Sequence, residues 1–204
     1  VFWRKGYEGA SLAELTAAMG INRPSPYAAF GNKEALFRRA LDRYMERPAA
    51  ALRAALAAPT ARQVAECVLA DAVDRLTDPA NPPGCMAVHG ALACGAEAEP
   101  IRREPAARRQ ATERAQRERF ERARAEGDLA EGVDPAGLTR YLAALVQGMA
   151  VQAVGGASSR DELAQIAAAA LAGLTCEPRP APERTAMPAR PASWQGERHV
   201  GSEA

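Results

Sequence analysis

The chain has 204 residues, 48% hydrophobic but only 5% aromatic, and its 26 basic and 25 acidic side chains leave a formal net charge of +1. That length admits one larger domain or two small ones. The alanine-weighted apolar fraction disfavours a sheet protein and favours helices. No apolar run reaches the ~18 residues of a membrane span, and near-neutrality neither demands nor excludes nucleic acid, so the distribution of charge matters more than its sum.

In chain order, residues 1–5 read as the end of a helix stopped by Gly6. Residues 11–19 form a short amphipathic helix, with Ser11 and Glu14 spaced as a capping box and Gly20 as a left-handed stop. Asn22 is placed to cap a second short helix over 22–29. Residues 33–46 predict a longer helix interrupted by Pro48, followed by an alanine-rich helix over about 49–57. A further helix over 61–76 carries Val64, Val68, Ala72 and Leu76 on one face. The turn-rich stretch 78–84 leads into a small, apolar segment, 85–94, expected to be a buried helix. Residues 97–126 hold nine arginines against seven glutamates. Pairs such as Glu113–Arg117 and Glu118–Arg122 fit a solvated helix, with Pro105 marking a kink or a start. Two more helices, 135–154 and 159–174, precede a Pro- and Arg-rich tail over 176–204 that reads as disordered. The fold class is all-α.

Charge is unevenly placed. Up to residue 47, eight basic side chains stand against five acidic ones, which gives +3 for this head and −2 for the remainder. The segment 11–30 reads as helix–turn–helix. Gly20 permits the tight turn, and Leu12, Leu15, Met19 and Ile21 close a small core between the two helices. The second helix then offers Asn22, Arg23, Ser25 and Tyr27 to base edges and phosphates.

The string Phe2, Lys5-Gly6-Tyr7, Ser11-Leu12, Gly20-Ile21-Asn22, Tyr27, Phe30-Gly31-Asn32-Lys33-Glu34-Ala35-Leu36-Phe37 resembles the DNA-binding domain of the tetracycline-repressor (TetR) family. That resemblance implies phosphate contacts for Tyr27 and Lys33, with Ser11 in the same interface, and places Phe30 under the recognition helix. It implies an all-helical homodimeric regulator in the cytoplasm, a repressor that releases double-stranded operator DNA when an unknown small-molecule inducer, redox or metal signal arrives. It also implies a DNA-binding domain over 1–46, a ligand-sensing and dimerisation domain over 47–175, and dimer contacts through 135–154 and 159–174. The family's opening helix begins earlier than Val1, so this chain reads as lacking its start. Pro26 stands where the family has an apolar residue, and is expected to weaken the recognition helix.

The stretch from Pro83 to Cys94 resembles a Gly-Cys segment found in a subgroup of TetR-type proteins. Cys85 and His89 are spaced i, i+4, and with Cys94 they suggest three readings: small buried core residues, a reactive thiol with a neighbouring imidazole, or ligands to a soft metal. Met86, Tyr141 and Met149 join them as candidate sensor residues, whereas Cys67 is expected in the core. The four cysteines, including Cys176, form no CxxC pair and no disulfide framework, as reduced cytoplasmic thiols would. No resident metal or cofactor is expected, and no catalytic motif is present, so an enzyme is not expected. The competing reading is a helical dimerisation protein that has lost DNA binding.

Overall fold

A computed structural model describes residues 1–21, 30–92 and 94–174. Among these are eight α-helices: α1 (Phe2–Gly9), α2 (Leu12–Met19), α3 (Lys33–Leu56), α4 (Ala61–Leu76), α5 (Met86–His89), α6 (Glu99–Ala125), α7 (Pro135–Val154) and α8 (Arg160–Gly173), with a 3-10 turn at Ala96–Ala98. There is no strand among the described residues. The expected helix at 22–29, Pro26 within it, and the tail lie outside them.

Side-chain caps set several boundaries. Ser11 and Glu14 close a reciprocal capping box on α2, Thr60 and Gln63 do so on α4, and Ser159 and Glu162 on α8. Asn32 accepts from Ala35 N at 2.8 Å to start α3, and Asp134 accepts from Gly137 N at 2.8 Å to start α7. Each satisfies donors that a helix start leaves without intrahelical partners. Gly20 ends α2 at φ 68°, ψ 27°, a conformation that a side chain would oppose.

Gly6 stops the first helical turn as expected, at φ 69° and ψ −178°, and a second short helical piece carries α1 on to Gly9. Three expectations need correction. Pro48 does not interrupt α3, which runs unbroken for 24 residues. Proline costs one hydrogen bond to the carbonyl four residues back, and packing of α3 against both α4 and α6 outweighs that loss. The expected 46/47 domain boundary therefore falls inside a single helix. The segment 85–94 is helical for only one turn, Met86–His89. The arginine-rich helix is not merely a solvated rod either: α6 starts at Glu99, contains Pro105, and buries Ile101, Pro105, Gln116, Arg119, Phe120 and Ala123 along one face.

Two apolar clusters result. The head cluster joins Phe2, Ala10, Leu15, Phe37 and Leu41 to Met86, Ala87, Cys94 and Ile101 of the body. The larger body cluster packs Val64, Leu69 and Leu76 of α4 against Phe120 of α6, Leu142 and Met149 of α7, and Leu163 of α8. The head is thus built on the body's own residues. Polar bonds reinforce the seam: Tyr7 N donates to Gly90 O at 2.7 Å, Gly95 N to Glu8 Oε1 at 2.7 Å, and Arg38 Nε to Glu104 Oε1 at 2.9 Å.

Candidate functional site

The reading head begins with α2. Ser11 Oγ accepts from Glu14 N at 3.3 Å, while Ser11 N donates to Glu14 Oε2 at 3.1 Å. Lys5 of α1 pairs with the same carboxylate. Its bond to Lys5, then those to Ser11, hold the Glu14 carboxyl down at about 2, so the box stays charged at neutral pH. Beyond Gly20, Asn22, Arg23, Ser25 and Tyr27 lie outside the described residues. Lys33 opens α3, with its ammonium 4.7 Å from the Tyr7 ring centroid and Nζ 3.4 Å from Glu8 O. The cation is parked on α1 beside the head surface, held by an aromatic face as well as a carbonyl. Arg39, which the motif did not single out, lies over the Phe30 ring at 5.0 Å.

About three turns along α3 from Lys33 lies a cavity of about 130 Å³ between α3, α4, α5, α6 and α7. Leu52, Ala55, Val68, Val88, Leu142 and Val146 form much of its apolar wall. At one end Tyr44 Oη donates to Cys85 Sγ at 3.2 Å, and Arg75 Nη1 donates to Tyr44 Oη at 3.3 Å. Asp71 Oδ2 in turn accepts from Arg75 Nε at 3.3 Å. Burial, and next the adjacent Cys85, push the Tyr44 hydroxyl well above its ordinary value, so it keeps its proton and remains a donor. Burial works against the Arg75 charge, but Tyr44, Cys85 and Asp71 outweigh it and raise the guanidinium's value.

The sequence-derived sensor set separates in space. Cys85 lines the cavity, but it is the N-cap of α5 with extended dihedrals (φ −127°, ψ 119°). Its carbonyl closes the first turn by accepting from His89 N at 2.9 Å, but its side chain turns to Tyr44. The imidazole Nδ1 lies 3.0 Å from the Cys85 carbonyl oxygen, not on the sulfur, and His89 faces a different cleft, between the head and the body. Met86 is buried in the head cluster, as is Cys94, whose thiol burial pushes up. Met149 is 1% exposed in the body cluster and Tyr141 is 46% exposed; neither borders the cavity. Cys67, expected in the core, is exposed and lines the cavity. Among the described residues no three His, Cys, Asp or Glu side chains are grouped to hold a metal ion. The residues that sequence reasoning missed are Tyr44, Asp71 and Arg75. The i, i+4 spacing of Cys67, Asp71 and Arg75 on α4 was the available signal, since it places all three on one face.

Gly84 fixes Cys85 in place. It adopts φ 83°, and its N–H donates to Leu76 O at 3.2 Å. A Cβ there would collide with Val154 Cγ2 and stand 3.0 Å from Ala150 O. Gly84→Ala is expected to cost about 2 kcal/mol or more, from left-handed strain plus overpacking. Urea denaturation checks this, and an unchanged midpoint would refute the account of Gly84.

A capped short helix closed by a left-handed glycine, set on a long helix that continues into a cavity-bearing helical bundle, is the architecture of a one-component DNA-binding transcriptional regulator. The family descriptions agree: residues 1–40 match "Bacterial regulatory proteins, tetR family" and residues 65–168 match "Tetracyclin repressor-like, C-terminal domain". The chain belongs to the TetR family. It is 34% identical over 175 residues to the HTH-type transcriptional repressor ComR of Escherichia coli (strain K12), covering 84% of this chain and 82% of ComR. It is 38% identical over 104 residues to the repressor BdcR of the same organism, covering 50% of this chain and 52% of BdcR. Among solved structures, a cysteine mutant of the TetR family regulator CifR complexed with 26-bp double-strand operator DNA superposes with a TM-score of 0.78 at 42% identity, covering 84% of this chain and 90% of that one. No described helix is long and apolar enough to cross a membrane.

Proposed function

We infer that this regulator is a repressor that binds a two-fold operator as a homodimer and lets go when a small molecule occupies the α3–α7 cavity. The carrying observation is the continuity of α3, which starts at Lys33 in the reading head and presents Tyr44 to the cavity. Residues 1–46 supply DNA contacts through Ser11, Asn22, Arg23, Ser25, Tyr27 and Lys33. Residues 47–175 supply sensing and dimerisation, and the protein works by binding, not turnover, in the compartment that holds the DNA. The operator complex of CifR and the repressor ComR support this reading by similarity. Within the sensor set, Cys85 is the reporting residue and Tyr44 replaces His89 as its partner.

The dimer forms through α7 and α8. Gly137, Tyr141, Ala144, Gly148 and Val151 make an exposed stripe on α7, and Ala164, Ala168 and Ala172 one on α8. Small side chains there admit the close approach of a second pair of helices, and two heads then span half-sites about one helical turn (~34 Å) apart. Tyr141 belongs to that face and not to the sensor.

Fluorescence anisotropy with DNA from upstream of the gene tests the reading. Specific binding that survives non-specific competitor is expected, and its absence on every upstream fragment would overturn it. Lys33→Ala is expected to weaken binding to all DNA sequences alike and to reduce the salt dependence by about one phosphate contact. An unchanged salt slope would remove Lys33 from the interface.

A further inference from the structure

Cys85, Tyr44, Arg75 and Asp71 form a connected chain of hydrogen bonds at one end of an apolar cavity, and repression by DNA binding alone has no use for it. Arg75 donates to the tyrosine oxygen, which leaves the tyrosine proton pointing at sulfur. The Arg75 side chain is 11% exposed. The cavity's volume, about 130 Å³, compares with the roughly 150 Å³ that holds a benzene molecule. Its charged lining residues cancel, with Arg75 and Arg109 set against Asp71 and Glu113.

We propose that this cavity is a thiol-addition site for small, uncharged α,β-unsaturated carbonyl compounds, with Cys85 as the nucleophile, Tyr44 as the hydrogen-bond donor to the carbonyl oxygen and Arg75 as the residue that positions Tyr44. The proposal rests on the reading of this cavity as the sensor. In the addition the Cys85 S–H bond breaks and an S–C bond forms at the β-carbon. The alkene electron pair moves toward the carbonyl oxygen, where the Tyr44 hydroxyl meets the developing negative charge. The thiol proton ends on the α-carbon. Nothing leaves, nothing is oxidised and no co-reactant is needed. The product sulfur carries a carbon chain inside a cavity with little spare volume, so Tyr44 loses its place against it.

Acrylamide and iodoacetamide separate this role from a merely structural one. Both are neutral amides of nearly the same size, but only addition to acrylamide puts charge on the carbonyl oxygen; iodoacetamide expels iodide. Modification at Cys85 is followed by tandem mass spectrometry in the full chain, with exposed Cys67 as the internal reference. In the native protein Cys85 is expected to add acrylamide faster than Cys67 does. Tyr44→Phe is expected to slow acrylamide addition at Cys85 at least about tenfold while changing iodoacetamide alkylation far less. Arg75→Met should shift the ratio in the same direction, and Arg75→Lys should restore part of it. Equal slowing of both reagents, no slowing of either, or a native Cys85 no faster than Cys67 would each overturn the proposal. Operator binding by the fully modified protein is read separately. Undiminished affinity would refute the sensor reading and leave the addition chemistry standing, since that rests on the rate ratio.

Discussion

Replacing Phe37 with alanine is expected to destabilise the protein by about 3–5 kcal/mol, the usual cost of emptying a fully buried aromatic site. For a chain of this size that corresponds to a fall in Tm of roughly 6–20 °C. Phe37 is 0% exposed and meets Phe2 and Tyr7 edge-on, with ring centroids 5.2 Å and 5.4 Å away. Those two rings come from α1, so Phe37 joins the first helix to α3. The surrounding Leu41 comes from the next turn of α3 itself, and Met86 and Ile101 from two other stretches of chain, so they cannot all collapse into the gap. Because the same ring supports the start of α3, operator affinity should fall with stability. A loss below about 1 kcal/mol in urea denaturation would contradict the packing described here.

Arg119→Met is expected to cost about 2–4 kcal/mol, although methionine fills most of the same volume. Arg119 is 5% exposed in the last two turns of α6. Its Nε donates to Leu56 O at 3.2 Å, and its Nη2 donates to Ala58 O at 2.9 Å and Pro59 O at 3.0 Å. These carbonyls sit at the C-terminal end of α3, where partial negative charge accumulates. One guanidinium thus caps α3 and holds the α3–α4 turn. Lysine, with a single ammonium, cannot span three acceptors in this fork, so Arg119→Lys should recover only part of the loss. Equal urea midpoints for the native and Arg119→Met proteins would show that water serves those carbonyls equally well.

Local signals in the sequence carried local structure well. The Ser11–Glu14 box and Gly20 lie within one turn of what they control, and the start and stop of α2 follow from them. The all-helical class and the helices at 61–76, 135–154 and 159–174 are borne out to within a residue or so. Interactions between distant segments were harder to read. Pro48 signals a break by its own chemistry, and α3 runs through it because α4 and α6 press on the helix from elsewhere in the chain. The Cys85–His89 spacing suggests partnership on a helix face, but the imidazole meets the Cys85 carbonyl and the thiol, on an N-cap residue with extended dihedrals, meets Tyr44 instead. Its hydrogen-bond partner, Tyr44, lies 41 residues away, and only the packed fold brings the two together. Arg119 was legible only as one charge in a charged helix; its burial comes from the way α6 crosses the end of α3.

Tyr44 has one more neighbour. The Trp3 ring of α1 meets it edge-on at a centroid distance of 4.7 Å, so the tyrosine that faces Cys85 also touches the reading head. This bears on attempts to build hybrid regulators by grafting. No flexible tether separates the head from the cavity: α3 belongs to both, and residues 86–101 complete the head's own core. A graft that joined residues 1–46 to a foreign sensor would sever α3 beside Tyr44 and leave Phe2, Trp3 and Leu41 without their natural floor. The smallest transferable unit is a discontinuous one: residues 1–56 together with the α5 segment and the first turns of α6.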